Sequence, residues 1–337
     1  MNGPDAFQNG FKGFCSVFVT AAFAFAGTEL IGIAASESAT PLQTLPSACK
    51  QVFWRITLFY ILSLLFVGLL IDPTDENLIG ENTFANSQAS PFVLVGKYAL
   101  LNGYDHFINA VITVSVISIG LSGVYGGSRT LTAMAEQGYA PKMFSYVDRA
   151  GRPLYSTLLI LAVGFLAFAG VTPEKSAELF NWLLAISGLA ALFTWGSICL
   201  AHIRFRMAWK RQGHTLDEIP FKSAGGVIGS YIGLILCVLV FIAQMYVAIC
   251  PPGGNPTPED PDNQFNSVTG FFQTCLAFPV VIVFWIIGYV WKRPAFLTID
   301  KIDLDSGRRE IDWELHRAIQ EKRANASIPM KIYYKLM

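Results

Sequence analysis

Charge is what this sequence has least of. Asp, Glu, Lys and Arg make up 14% of the 337 residues, the formal net charge is zero and the mean hydropathy is +0.46. Soluble domains are closer to a quarter charged, so the scarcity argues against a water-soluble globule. The zero balance argues against a nucleic-acid partner, which would call for a basic surface. Histidine is also sparse: His106, His202, His214 and His316 fall at the ends of apolar runs, in loops or in the tail. None clusters with carboxylates as metal ligands do. Six cysteines are present, with neither C-x-x-C nor zinc-like spacing. Most sit in or beside apolar runs, where a small buried hydrophobe is the plain reading. A bridge between Cys250 and Cys275 is the minor alternative. Motifs for a phosphate loop, a nucleophile or a metal centre are missing, which leaves no support for an enzyme or a bound cofactor. Strand-type alternation is missing too, which argues against a membrane β-barrel. The start, MNGPDAFQNGFK, lacks the basic cluster of a signal peptide.

What the sequence does have is apolar length. Hydrophobic residues make up 53% of it, and seven runs reach the roughly 17–25 residues that a spanning helix needs. They lie near 14–35, 55–71, 105–127, 154–170, 180–202, 229–249 and 271–291. The chain therefore reads as an all-α integral membrane protein with seven transmembrane helices, and the lipid bilayer is its first partner. Of 24 Lys and Arg residues, only Lys12, Lys97 and Lys175 fall on one side of this layout. The other side carries the rest, which makes it cytoplasmic. Residues 1–13 become an extracellular segment, 14–202 a five-helix unit, 203–228 a cytoplasmic loop, 229–291 two further helices and 292–337 a cytoplasmic tail.

One residue in the first run breaks the apolar rule. The stretch FAFAGTELIGIAASESATP places Glu29 inside the span, beside Gly27 and Thr28. A carboxylate at such depth costs about 2.5–3.5 kcal/mol on insertion scales and marks a substrate or ion pathway by default. Glycine weakens the helix here, and broken helices in lipid are tolerated where they line a cavity or are buried in protein. Transporters bind substrate at such breaks near the bilayer midplane. A half-helix ending around Phe25 would aim carbonyl oxygens at an ammonium group, at the negative end of its dipole. Ala24, Ala26 and Gly27 would let a ligand approach the backbone, and Phe23 could swing across it. For Gly32, Ala34 and Ala35, close helix packing is the better reading. Trp182, Trp195, Trp209 and Trp291 read as belt and packing residues.

The segment FAFAGTELIGIAASESATPLQTLPSACKQVFWRITLFYI resembles the sixth span and following loop of fungal amino acid permeases, of the amino acid–polyamine–organocation superfamily. The resemblance continues through ISIGLSGVYGGSRTLTAMAEQGYAPKMFSYVDRAGRP and FNWLLAISGLAALFTWGSICLAHIRFRMAWKRQGHTLDEIPF, and reaches IDLDSGRRE in the tail. It implies proton-driven amino acid transport across the plasma membrane, with the proton as coupling ion and no other cofactor. Carried over by position, Phe23, Ala24, Phe25, Ala26, Gly27 and Thr28 form the amine-binding break, Phe23 is the gate and Glu29 is the proton-linked carboxylate. A local departure is Leu121, where the family often carries Asn. The resemblance further implies spans six to twelve of twelve: the second inverted repeat of a 5+5 fold plus the last two helices. On this expectation the first five spans, which would hold the substrate carboxylate, are missing. Two alternatives follow, a transport-inactive truncated paralogue or a regulatory partner of a full-length permease. A seven-helix receptor is a remote rival, since no D/E-R-Y triplet follows the third run and the last lacks N-P-x-x-Y.

Overall fold

The computed structural model describes residues 10–35, 38, 40–72, 90–170, 173–219, 221–223, 225–250, 268–293 and 295–306, with Glu314, Arg317, Ala318, Glu321, Asn325 and Ser327 in the tail. Among these, every regular element is helical. In chain order they are α1 Gly10–Phe23, α2 Leu30–Ala35, α3 Pro41–Leu70, α4 Pro91–Tyr98 and α5 Tyr104–Glu136. Then come α6 Leu154–Gly164, α7 Pro173–Arg211, α8 Gly226–Ile249, α9 Val268–Cys275 and α10 Ala277–Lys292. Four stretches are long and apolar enough to cross a membrane: Thr44–Leu70, Tyr104–Glu136, Trp182–Arg211 and Gly226–Ile249. Shorter apolar helices at Gly10–Ala22, Leu154–Phe168 and Ala277–Lys292 fall on the other three runs. This is an all-helical, multi-pass membrane protein.

The chain divides into two compact units. One comprises residues 1–50 and 182–337. In it α1 and α9 both pack against α8. Phe193 of α7, Phe241 of α8 and Phe278 of α10 form a ring cluster, with Phe241 5.5 Å from Phe193 and 5.3 Å from Phe278. Cys15 and Leu189 are buried, and Cys275 meets the Met245 sulfur at 3.4 Å. All six cysteines are free, Cys250 and Cys275 included. Helix α7 continues through Arg211, past the expected end near 202. Its C-terminal end turns on Trp209, whose indole N–H donates to the Thr215 carbonyl at 2.8 Å while the ring stacks on His214. The segment after α10 is tied to this end. Arg204 donates to the Leu297 carbonyl, Gln212 donates to the Ile302 carbonyl at 2.8 Å, and Arg211 pairs with Asp300 at 2.9 Å.

The other unit comprises residues 51–181. Here α5 packs on α4 and α6. The stretch SRTLTAMAE continues α5 to Glu136. Ser128, Thr132 and Ala135 are buried along that extension, and the Thr132 and Ser156 hydroxyls meet at 2.9 Å. Ser156 also donates to the Phe144 carbonyl, which pins the short helical turn Lys142–Ser145. The segment PPGGNPTPEDPDNQ lies outside the described residues, as does most of IDWELHRAIQEKR.

Candidate functional site

The first apolar run is interrupted: α1 stops at Phe23 and α2 begins at Leu30, so the half-helix ends two residues before Phe25. Between them the backbone tightens into i to i+3 turns. Ala24 N–H donates to Ala21 O at 3.2 Å, Phe25 N–H to Ala22 O at 3.0 Å and Thr28 N–H to Phe25 O at 3.3 Å. The turn closes where Leu30 N–H reaches Gly27 O at 3.1 Å. Gly27 makes this path possible, because its φ of +94° is a conformation side chains rarely adopt. Among the described residues the carbonyl oxygens of Ala24 and Ala26 accept no hydrogen bond. Phe25 and Ala26 are exposed, Ala24, Gly27, Thr28 and Glu29 half-buried. The Phe23 side chain lies outside the described residues, and the gating expectation with it.

Glu29 folds back over the break. Its Oε2 accepts the Gly27 backbone N–H at 3.1 Å. The same oxygen accepts the indole N–H of Trp195, from α7, also at 3.1 Å. Its partner Oε1 has no hydrogen bond among the described residues and is not buried. The sequence alone points to a belt or packing role for Trp195; in the structure its N–H also reaches the carboxylate. The one available signal was an indole inside an apolar run, whose N–H needs an acceptor when covered.

A second feature lies one turn away. Leu192, Gly196, Leu234, Cys237, Val238 and Phe241 line a cavity of about 360 Å³ between α7 and α8. Its lining holds no charged group, so a zwitterion would find no pairing there. Groups of three or more His, Cys, Asp or Glu fit to hold a metal do not occur among the described residues.

The sequence profile of the family described as "Amino acid permease" matches residues 1–301. The chain belongs to the amino acid permease family. It is 62% identical over 314 residues to the amino-acid permease inda1 of Hypocrea atroviridis, covering 92% of this chain and 53% of that protein. It is 50% identical over 317 residues to the general amino-acid permease GAP1 of Saccharomyces cerevisiae, covering 93% of this chain and 51% of that protein. Against the cationic amino acid transporter 1 of Schizosaccharomyces pombe it is 47% identical over 305 residues, covering 89% and 50%. The chain spans about half the length of the curated relatives it matches. No solved structure matches it. Both the break and Trp195 lie inside the region matched to the permease family.

Proposed function

We propose that this chain is part of a plasma-membrane permease that carries an amino acid together with a proton. The break from Phe23 to Thr28 takes the substrate's amino group, and Glu29 takes and releases the proton. One observation carries this reading: a carboxylate held over a helix break inside an apolar run, beside two backbone carbonyls that accept no hydrogen bond among the described residues. An ammonium group supplies three donors and no acceptor. The Ala24 and Ala26 oxygens offer it acceptors at the C-terminal, negative end of α1. Family membership supplies the class of cargo, since the relatives named above are permeases and transporters of amino acids.

The substrate carboxylate needs a second set of donors. By the family resemblance, that set comes from the half of the relatives' length that lies outside the match. The chain then supplies the second inverted repeat and the last two helices, with its N-terminus outside and its C-terminus in the cytoplasm.

The test joins this chain to the N-terminal half of a relative and measures accumulation across a pH gradient. Glu29→Gln keeps a side-chain oxygen for Gly27 and Trp195 but cannot cycle a proton. Concentrative uptake should be lost while exchange of substrate persists. Gly27→Leu should abolish binding, since it both fills the break and cannot hold φ near +94°. Accumulation by Glu29→Gln as steep as the parent's would overturn the proton role.

A further inference from the structure

We propose that Trp195 is the positioning residue for Glu29, fixing Oε2 as a standing acceptor so that the proton is exchanged at Oε1. The inference rests on the reading of Glu29 as the proton carrier, and deepens it. Two donors converge on Oε2, the Gly27 amide and the Trp195 indole, each at 3.1 Å. Neither can accept a proton, since an amide N–H and an indole N–H are donors only. A proton placed on Oε2 would have to displace one of them. Oε1 has no such obstruction, since it makes no hydrogen bond among the described residues and is not buried. The two oxygens are therefore inequivalent: one is anchored, the other exchanges. No other ionisable side chain bonds this carboxylate among the described residues.

The anchor also gives the proton a mechanical consequence. A hydrogen bond to an ionised acceptor is roughly twice as strong as one between neutral groups. The Trp195 bond is firm while Glu29 is charged and weakens when Oε1 takes the proton. Because the bond runs from the break to α7, the protonation state sets how tightly α7 holds the substrate's amine site. A ring that merely packed would give no such link, and the proposal can be separated from that case.

The experiment replaces Trp195 by 3-benzothienylalanine in the 337-residue chain, purified and reconstituted in lipid. Sulfur there takes the place of the indole N–H and leaves ring shape and volume nearly unchanged, so packing survives. The readout is the infrared C=O stretch of protonated Glu29, assigned by its loss in Glu29→Gln. Removing the donor should move that band to higher frequency, and Trp195→Phe should move it the same way. An unchanged band in the sulfur analogue overturns the assignment of Trp195, whatever transport shows. In the completed permease, the analogue should lower accumulation while sparing exchange. If the band shifts but Glu29→Gln accumulates substrate normally, the proton-carrier reading falls and this proposal with it. If Glu29→Gln fails as expected and the band does not move, only the role of Trp195 is lost.

Discussion

At the scale of single residues, Gly27 shows how one backbone angle organises a site. Its φ of +94° sends the chain back so that its own amide faces the Glu29 carboxylate at 3.1 Å. A different carboxylate, outside the apolar runs, does similar work and gives a pH prediction. Asp148 accepts the Arg152 backbone N–H at 2.8 Å, the Arg152 Nε–H at 2.9 Å and the Ala150 N–H at 2.9 Å. The Arg152 amide does most to hold this carboxyl below its ordinary value; desolvation comes next and opposes it, and the Arg152 guanidinium and the Ala150 amide add to the lowering. A depressed carboxylate stabilises the fold above its unfolded pKa, and that stability is lost as pH falls through the folded value. The 148–152 turn should therefore stay closed at neutral pH and open on acidification below the ordinary carboxylate range. Hydrogen exchange of the Ala150 and Arg152 amides reads this directly, and Asp148→Ala should exchange fast at every pH. Equal acid sensitivity in parent and variant would contradict it. Glu29 was legible from sequence because its cost in an apolar run is local information. Trp195 was not, since 166 positions separate it from its acceptor and only the packing of α7 brings them together.

At the scale of elements, the apolar runs located the helices but understated them. Helix α5 has 33 residues, about 50 Å at 1.5 Å per residue, against a hydrocarbon core of about 30 Å. Hydropathy marks only the part that lipid would cover. The remainder is held by buried small and polar residues, Ser128, Ala135 and Thr132, the last bonded to Ser156, which no hydropathy window detects. The short α4 was missed for a related reason: eight residues are too few to show a period. Its Gly96 makes a testable point. Glycine to alanine inside a helix normally gains about 1 kcal/mol, but here a Cβ would lie 1.8 Å from Tyr104 Cδ1. Overpacking costs about 1–3 kcal/mol, so the clash should win. Gly96→Ala should lower thermal stability in detergent, and Tyr104→Leu in the same chain should recover most of the loss. Purely additive effects of the two changes would show that the ring is free to move aside.

At the scale of the whole molecule, orientation follows from where the cations lie and from what the tail grips. Only Lys12, Lys97 and Lys175 of the 24 Lys and Arg residues sit on the side assigned outward, a bias that retains the other side in the cytoplasm. The structure adds an independent constraint within one unit. Arg211 pairs with Asp300 and Gln212 donates to Ile302, so the segment after α10 lies at the C-terminal end of α7. The start of α8 follows that end of α7 after 14 residues, 212–225, which carry Asp217, Glu218 and Lys222 and form no spanning helix among the described residues, and irregular polar backbone does not cross the hydrocarbon core. Residues 211, 226 and 300 therefore share one face of the membrane, whichever face that is. In the proposed orientation that face is the cytoplasmic one, where Arg204, Arg206, Lys210, Arg211 and Lys222 gather. Reporter fusions at residue 300 should read cytoplasmic. A fusion at 145, after α5 and its extension, should agree with it, and a fusion at 78 should read external. A cytoplasmic signal at 78 would overturn the span assignment and the family alignment together. The first run would then enter from the cytoplasm, and the C-terminal end of α1 would open the amine site toward the opposite face.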